Sequence, residues 1–318
     1  MTPRPYLTTA EKVTRASVLA ATAVTLLSFL GQVLWVAELS THFRMQLVVG
    51  SIVLCILAAV FRQPRSALLA AVLAAVNLAY LMSYVMPGPR DAQATPVSFR
   101  MLAANVNLRN NNYGPLRDLI ADLRPDIVGL SEVDREWAEA LRELDYPYRI
   151  LHTEDGAYGL ALFSRLPLRE LEHSPYRQDG FQTAILAEVE IGGRGATFVL
   201  AHVRAPTSPA KTRLRNRQLE KLATLFRADR NHDEILLGDL NVTPWSPYYD
   251  VLESGTGIVN AARGIGYRPT WPTRPAFLRI PIDHCLLSEG LNVASIRTGP
   301  DIGSDHLPLI VDISVATH

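Results

Sequence analysis

The chain has 318 residues, a formal net charge of zero at pH 7 and a sequence pI near 7.1. This balance excludes a strongly basic nucleic-acid coat protein. Hydrophobic residues make up 48% and charged residues only 19%, so the chain is too apolar to be disordered and long enough for one large or two medium domains.

The composition changes near residue 90. The first 90 residues carry 7 of the 31 basic and 2 of the 31 acidic residues, which leaves 24 basic against 29 acidic residues in the remainder. Within this first part, three stretches contain no Asp, Glu, Lys or Arg: 16–37, 45–61 and 66–86. Each can cross a hydrocarbon core about 30 Å thick as a helix. The sequence therefore predicts residues 1–90 to be a membrane anchor with three transmembrane helices.

The distribution of Lys and Arg predicts the orientation of this anchor, because positively charged short loops tend to stay in the cytoplasm. Basic residues precede the first stretch, and Arg62 and Arg65 fill the second loop, whereas the first loop holds only Arg44, beside Glu38. We therefore expect a multi-pass protein of the cell membrane with a cytoplasmic N-terminus and an extracytoplasmic C-terminal domain. The segment 87–96 is rich in proline and in small or polar residues, and residues 91–96 are predicted to be a linker that keeps this domain near the bilayer.

From residue 97 to residue 318, apolar runs of strand length alternate with amphipathic helical stretches. Strands are predicted at 99–106, 126–131, 148–152, 160–164, 183–191, 197–203, 234–240, 282–287, 294–297 and 309–315, and helices at 115–123, 136–144 and 210–227. Long β runs with few helices between them favour an α/β sandwich over a strictly alternating parallel fold.

Four short stretches with acidic residues or histidine lie at the ends of predicted strands: 131–133, 238–241, 282–284 and 304–306. Alternate residues of a strand share a face, so Asp239 and Asn241 point the same way. Oxygen ligands at strand ends suit magnesium or manganese, whereas two isolated cysteines and the lack of a helical histidine pair do not predict a zinc site. Taken alone, each stretch could as well be a helix cap or a turn as part of a functional site. Their order along the chain favours one common site.

Five motifs together resemble the endonuclease/exonuclease/phosphatase superfamily. They are Asn105 at a strand end, Glu132 in Ser-Glu-Val after Pro-Asp-Ile-Val, Gly-Asp-Leu-Asn at 238–241, Ile-Asp at 282–283 and Ser-Asp-His at 304–306. The resemblance covers residues 97–315, with the motifs in the same order. It implies a four-layer α/β sandwich with two central β-sheets, here preceded by N-terminal transmembrane helices. It also implies cleavage of a phosphate ester or phosphoanhydride that depends on Mg²⁺, with Mn²⁺ as the alternative.

The resemblance further implies a role for each matching residue. The metal ligands would be Asn105, Glu132 and Asp305. Asp239 would orient or deprotonate the attacking water, and Asn241 would hold a phosphate oxygen. His306, positioned by Asp283, would stabilise the pentacoordinate phosphorus, and His202 matches a histidine that contacts phosphate in many members. The role of four further residues is left open, because each could contact the substrate or be an ordinary surface or core residue: Arg109, Tyr158, Arg204 and Trp271. His284 and Cys285, where relatives often have an aromatic residue, are predicted to be packing residues.

The superfamily includes abasic-site nucleases, DNase-like enzymes, deadenylases, inositol phosphatases and sphingomyelinases, so its fold does not fix the substrate. The net negative charge after residue 90 disfavours nucleic acid, and an anchor would keep the enzyme close to lipid head groups. Three N-terminal spans before an exported domain of this superfamily resemble bacterial membrane proteins linked to glycopeptide resistance, which are held to dephosphorylate undecaprenyl diphosphate.

We therefore expect a phosphohydrolase whose partners are the lipid bilayer and a phosphorylated lipid, and we infer no protein partner. Two alternatives stay open, a membrane-tethered nuclease and a sphingomyelinase-like phosphodiesterase. A catalytically silent sensor of a phosphorylated ligand is disfavoured, because every expected catalytic position is filled.

Overall fold

The computed structural model describes residues 7–86, 99–154, 156–171, 184–226 and 232–315. The chain divides into two compact units. The first, the helical unit, comprises Met1–Ser83 together with Trp245–Pro247, and the second, the α/β unit, comprises Tyr84–Pro244 and Tyr248–His318. The predicted linker at 91–96 lies outside the described residues.

The helical unit contains four helices among its described residues: α1 (Thr9–Ser28), α2 (Trp35–Thr41), α3 (Arg44–Val60) and α4 (Pro64–Val85). Helix α1 begins with a capping box, in which Thr8 and Glu11 each accept a hydrogen bond from the other's backbone nitrogen. Within the described part of the chain, α4 alone is both long and apolar enough to cross a membrane, and α2 with α3 meet the same criterion as a pair bent by 67°.

The predicted first span, 16–37, is not one helix. Helix α1 starts earlier, ends at Ser28, and is followed by a turn before α2 begins at Trp35. A Cβ atom on Gly31 would lie 3.2 Å from both the Ser28 carbonyl oxygen and Thr41 Cγ2, so the turn packs closely at this glycine. The absence of charged residues shows that a stretch is apolar. It does not predict that one helix runs through the whole stretch. The second and third predicted spans agree with α3 and α4 within two residues, but the prediction of three transmembrane helices is not confirmed.

The α/β unit contains two mixed sheets and three helices among its described residues. In chain order its elements are β1 (Phe99–Asn105), α5 (Gly114–Leu123), β2 (Ile127–Ser131), α6 (Arg135–Ala140), β3 (Tyr148–His152), β4 (Leu160–Ser164), β5 (Leu168–Glu170), β6 (Ala184–Ile191), β7 (Arg194–His202), α7 (Pro209–Leu225), β8 (Asp233–Asp239), β9 (Ile258–Asn260), β10 (Asp283–Ser288), β11 (Leu291–Thr298) and β12 (Leu309–Val315).

The two sheets pack face to face. One has the strand order β11-β12-β1-β2-β4-β3 and the other β5-β6-β7-β8-β10-β9. Side chains alternate along each strand, so Met101 and Phe198 lie in the core between the sheets, whereas Leu102 lies in a core under α5 and Val199 in one under α7. Helices thus cover both outer faces. This arrangement confirms the predicted α/β sandwich with two central sheets.

Two strands were missed by the sequence analysis, β5 and β9. Each has three residues and lies at one edge of the second sheet, and three residues are too few to establish an alternating pattern. The predicted helix at 136–144 is shorter in the structure, since α6 ends at Ala140.

Candidate active site

The centre of the site is Asp239, the last residue of β8. Strand β8 is parallel to β7 and antiparallel to β10, and the pairing register places His202 and Asp283 directly opposite Asp239. The Nε2 atom of His202 lies 3.6 Å from Asp239 Oδ2, and the Nε2 atom of His306 lies 3.7 Å from the same oxygen. Two buried imidazoles therefore converge on one buried carboxylate oxygen.

The residue before Asp239 is a glycine for a steric reason. Gly238 has a φ of 136°, and a Cβ atom there would lie only 2.0 Å from the carbonyl oxygen of Ala201. The Gly-Asp sequence therefore lets β8 approach β7 closely, next to the strand end that carries His202.

Asp283 and His306 form a buried ion pair. His306 Nδ1 lies 2.8 Å from Asp283 Oδ2. Burial disfavours the charged imidazole, but the carboxylates of Asp283 and Asp239 outweigh burial and raise the pKa of His306 to about 10. Burial likewise opposes the charge on Asp283, yet His306 reverses the effect and lowers the pKa of Asp283. His306 is therefore a cation at neutral pH.

The other two groups have pKa values governed by burial. Burial raises the pKa of Asp239 to about 7, despite the proximity of His306. Burial lowers the pKa of His202, which makes its neutral form the dominant one at neutral pH. The site thus contains one cationic imidazole, one neutral imidazole and a carboxyl group that exchanges protons near neutral pH.

Asn105 and Glu132 come from the adjacent ends of the parallel strands β1 and β2. Asn105 Nδ2 donates hydrogen bonds to Glu132 Oε1 at 3.0 Å and to Asp239 Oδ2 at 3.2 Å. Glu132 has a φ of 64°, a conformation that is strained for a residue other than glycine and often found at functional sites. Its Oε2 atom accepts a hydrogen bond from the backbone nitrogen of Leu108 at 3.1 Å. The Glu132 carboxylate is therefore held beside Asn105 and close to Asp239.

Asp305 is exposed and connects to this group through Asn107. Asn107 Nδ2 donates to Asp305 Oδ1 at 2.7 Å, and its backbone nitrogen donates to Asn105 Oδ1 at 3.0 Å. The sequence analysis did not select Asn107. Its position two residues after Asn105, which suits a side chain on the same face of the chain, is the signal that would have identified it.

Two groups of side chains could hold a divalent cation. The predicted ligands Asn105, Glu132 and Asp305 offer carboxylate and amide oxygen atoms, which are the ligands that suit Mg²⁺. The ligand atoms of Asp239, Asp283 and His306 all lie within 4.8 Å of one another, a spacing that also suits a metal ion. Coordination by His306 requires loss of a proton from an imidazole whose pKa is about 10. Coordination by the first group requires no such loss, and Mg²⁺ as the ion stays a prediction.

Asn241 lies beyond the end of β8 with a φ of 48°, so strand alternation does not determine where its side chain points. Its backbone nitrogen donates to Asp239 Oδ1 at 2.9 Å, and its side-chain Nδ2 donates to the carbonyl oxygen of Val203 at 3.0 Å. Asn241 therefore fixes the orientation of the Asp239 carboxylate. Its role as a phosphate ligand stays a prediction.

Two of the residues whose roles were left open lie beside His202. The ring centroids of Tyr158 and His202 are 5.9 Å apart, and the guanidinium carbon of Arg204 lies 4.5 Å from the Tyr158 centroid. Tyr158 therefore lies next to His202, and Arg204 lies next to Tyr158.

The other two lie near Asp305. Trp271 Nε1 donates to Asp305 Oδ2 at 3.0 Å, and its ring centroid is 6.5 Å from that of His306. Arg109 is exposed, and its backbone nitrogen donates to Asn107 Oδ1 at 2.9 Å.

His284 and Cys285 are packing residues, in agreement with the sequence analysis. Cys285 is part of the core between the sheets. His284 Nε2 lies 2.7 Å from the carbonyl oxygen of Val242, and its Nδ1 lies 3.0 Å from Asn260 Nδ2. These partners define a neutral imidazole that donates through Nε2 and accepts through Nδ1.

Known structures share this fold. The D. rerio TDP2 complexed with single strand DNA product is 19% identical to this chain, with a TM-score of 0.56 over 68% of this chain and 99% of that one. An AP endonuclease from Archaeoglobus fulgidus is 17% identical, with a TM-score of 0.54 over 68% and 100%. A 3′ phosphatase, NExo, from Neisseria bound to product DNA hairpin is 18% identical, with a TM-score of 0.52 over 68% and 99%. At these identities the likeness shows the fold alone.

No curated protein matches the chain. The sequence model of the Endonuclease/Exonuclease/phosphatase family matches residues 102–306, a range that begins in β1 and ends at His306. This range covers well over half of the chain and contains every predicted site residue. The chain therefore belongs to the endonuclease/exonuclease/phosphatase family.

Proposed function

We propose that this protein is a membrane-anchored, Mg²⁺-dependent phosphohydrolase that acts on a lipid-linked phosphate or diphosphate, such as undecaprenyl diphosphate, outside the cytoplasm. The observation that carries the hydrolase assignment is the convergence of His202 and His306 on Asp239 Oδ2, beside the Asn105–Glu132 pair. This arrangement combines a base, a cationic donor and oxygen ligands around one point.

Asp239 is the group that would accept a proton from the attacking water. Its pKa of about 7 allows it to be ionised at neutral pH and still basic enough to take the proton. Hydrogen bonds from Asn241 and Asn105 hold its two oxygens in place. The base is thus oriented before substrate binds.

His306 would stabilise the negative charge that develops on the phosphoryl oxygens. Asp283 keeps it protonated and fixes the ring through Nδ1, which leaves the Nε2 proton directed into the site. Asn105, Glu132 and Asp305 would hold the metal, which when bound neutralises phosphoryl charge and aligns the substrate.

Two observations support a lipid substrate. Helix α4 is long and apolar enough to span a membrane, and the residues after position 90 carry 24 basic against 29 acidic residues. An acidic domain lacks the excess of cations with which nucleic-acid enzymes neutralise successive phosphates.

Phosphate release tests this proposal. The purified full-length protein with Mg²⁺ should release inorganic phosphate from undecaprenyl diphosphate, and both Glu132→Ala and Asp239→Ala should abolish release. EDTA should also abolish it, and added Mg²⁺ should restore it. An intact, folded protein that releases no phosphate from this lipid would refute the lipid diphosphate as substrate.

Nuclease activity is the second candidate, because the structural neighbours include TDP2 with a DNA product and an AP endonuclease. It predicts nicking of plasmid DNA that needs metal and Asp239 and is strongly suppressed by salt. A sphingomyelinase-like activity would instead release a phosphorylated head group and no inorganic phosphate. Assays of the same preparation on the three substrates separate these activities.

A further inference from the structure

A short segment of the loop that follows β8 belongs to the helical unit. This segment is Trp245–Pro247, which groups with the helices although it comes only a few residues after the end of β8. Trp245 Nε1 donates to the His42 carbonyl oxygen at 3.3 Å, and Ser246 Oγ donates to Glu38 Oε1 at 2.9 Å. The helices therefore bind the chain shortly after it leaves the candidate active site.

The side chain that binds Ser246 is a buried acid in an otherwise apolar unit. Glu38 is 0% exposed, and along the chain it is the one acidic residue between Glu11 and Asp91. Its Oε1 atom also lies 3.3 Å from His42 Nε2. A buried carboxyl group is unfavourable unless partners compensate for it, so its presence in an apolar helix indicates a specific task. The contact with Ser246 shows what Glu38 holds in place.

Both ends of the same loop are fixed inside the α/β unit. The Val242 carbonyl oxygen lies 2.7 Å from His284 Nε2, and His284 Nδ1 lies 3.0 Å from Asn260 Nδ2. The same nitrogen of Asn260 donates to the Tyr249 hydroxyl oxygen at 2.6 Å. Val242 and Tyr249 are thus joined through one buried pair of side chains, and Trp245–Pro247 lies between them in the chain.

Asn241, directly before this loop, has a backbone conformation that needs such support. Its φ of 48° is sparsely populated for residues other than glycine, and it persists where the surrounding structure imposes it. The backbone nitrogen of Asn241 donates to Asp239 Oδ1 at 2.9 Å, and its Nδ2 donates to the Val203 carbonyl oxygen at 3.0 Å. Release of the loop would let Asn241 relax, and the Asp239 carboxylate would lose a hydrogen bond that orients it.

From these contacts we infer that Glu38 is a positioning residue for the candidate active site. Glu38 binds Ser246, the loop keeps Asn241 in its left-handed conformation, and Asn241 orients the Asp239 carboxylate. The helical unit thus contributes to the orientation of the base as well as to anchoring. The kinetic consequence rests on the proposed function, whereas the structural consequence is measurable without any substrate.

Hydrogen–deuterium exchange of the full-length protein in detergent tests the structural step. Glu38→Leu replaces the acceptor of Ser246 with an apolar side chain of similar size, and Ser246→Ala removes the donor. Both variants should exchange faster than the wild type within residues 240–249. The control Ser40→Ala removes a hydroxyl that donates to the Ala37 carbonyl oxygen in the same helix, and it should exchange like the wild type in that range.

Phosphate release by the same variants with Mg²⁺ tests the catalytic step, at a temperature well below each unfolding midpoint. In Glu38→Leu and Ser246→Ala, kcat should fall by up to about a hundredfold, the loss that a displacement of about 1 Å can cause, with little change in KM. Glu38→Gln keeps an acceptor oxygen and should retain more of kcat than Glu38→Leu. The double variant should lose no more than either single variant, because all three remove one contact.

Exchange like that of the wild type in both Glu38→Leu and Ser246→Ala would overturn the inference. Faster exchange together with an unchanged kcat would overturn the positioning role. A wild-type protein that releases no phosphate from the lipid would instead refute the proposed substrate. In that case the exchange within residues 240–249 still decides whether Glu38 holds the loop, and kcat is compared on whichever alternative substrate the wild type cleaves.

Discussion

At the residue scale, the contact on which the proposed chemistry depends most is the Asp283–His306 pair. The carboxylate keeps the imidazole charged and fixes which nitrogen faces Asp239. The neutral amide of asparagine can accept the same hydrogen bond but does not stabilise the imidazolium.

Asp283→Asn should therefore lower kcat by about 10²–10⁴-fold, the range typical of general acid–base groups, with a smaller change in KM. The measurement is phosphate release under saturating substrate. Asp122→Asn, at an exposed position of α5, serves as the control and should retain full activity. A wild-type kcat for Asp283→Asn would show that the charge on His306 is not used.

The buried side chain of His284 is expected to make the free energy of unfolding depend on pH. Burial lowers the pKa of His284 to about 4, whereas an unfolded histidine titrates near 6.5. Between these values the unfolded chain binds a proton that the folded chain does not bind, so the free energy of unfolding decreases as the pH falls from about 6.5 to 4.

Replacing His284 with Gln should make the protein less stable at pH 7, because two buried hydrogen bonds are disturbed, by about 1–3 kcal/mol. The variant should lose less stability than the wild type between pH 6.5 and 4. Thermal unfolding midpoints across this range measure both effects. An equal loss in both proteins would mean that His284 is not the group that senses acid.

At the scale of elements, the close approach of β7 and β8 determines the geometry of the site. Gly238 combines a positive φ with a position where any Cβ atom would overlap Ala201. Gly193, in the turn between β6 and β7, also has a positive φ, but a Cβ atom there would meet nothing within 4 Å.

Gly238→Ala should destabilise the protein by clearly more than the roughly 1–2 kcal/mol that a left-handed conformation costs an alanine, and it should reduce activity by displacing Asp239. Gly193→Ala should show only the conformational cost and retain activity. Comparing the unfolding midpoints and kcat of the two variants separates the cost of a positive φ from the cost of steric overlap with Ala201. Equal effects would contradict the role of strand proximity.

The pairing of β1 with β12 includes one ion pair of structural importance. Arg100 and Asp312 lie opposite each other in register, with Nε and Oδ1 2.5 Å apart, and Asp312 is only 6% exposed. Burial raises the pKa of Asp312, but the hydrogen bond from Arg100 outweighs burial and lowers it. This stabilisation is present above the pKa of an unfolded aspartate and is lost as the pH falls below it.

Arg100→Met should destabilise the protein by about 1–3 kcal/mol, since a buried carboxylate loses its charged partner. The exposed pair Arg169–Glu188 provides the control, because Arg169→Met should change stability by less than about 1 kcal/mol. Thermal unfolding at pH 7 compares the two variants. Similar midpoints would show that the Arg100 pair is no stronger than a surface ion pair.

At the scale of the whole molecule, the proposed location of the α/β unit depends on how many times the proposed anchor crosses the membrane. Three crossings from a cytoplasmic N-terminus would place it outside the cytoplasm. Among the described residues, one helix meets the criteria for a span and one bent pair meets them together. Whether α1 also crosses the membrane therefore decides between an even and an odd number of crossings.

If the α/β unit lies outside the cytoplasm, alkaline phosphatase fused to the C-terminus should be active in cells. Green fluorescent protein fused at the same position should be dark, because it would be exported with the domain. Deletion of residues 1–28, which removes α1, should reverse this result, because one of the three expected crossings is removed. A fluorescent, phosphatase-inactive fusion of the full chain would place the α/β unit in the cytoplasm and exclude an extracytoplasmic lipid substrate.

The sequence determined the composition of the site and most of the strands. Alternation along a strand is a local property, so runs such as 148–152 and 160–164 predict β3 and β4 to the residue. The motif order also identified Asp239 and His306, since their residue types are limited by the chemistry of phosphate transfer.

Only the tertiary structure decided which of these residues meet. Pairing between β7, β8 and β10 places His202 and Asp283 opposite Asp239. His306 precedes β12 of the other sheet and reaches the same oxygen of Asp239 as His202, while Asp283 holds its Nδ1 atom. Likewise, only the structure shows that α1 ends at Ser28 and that Arg44 forms a hydrogen bond with Asn77. Hydropathy measures the average polarity of a segment, whereas helix breaks and buried contacts depend on neighbours that are distant in sequence.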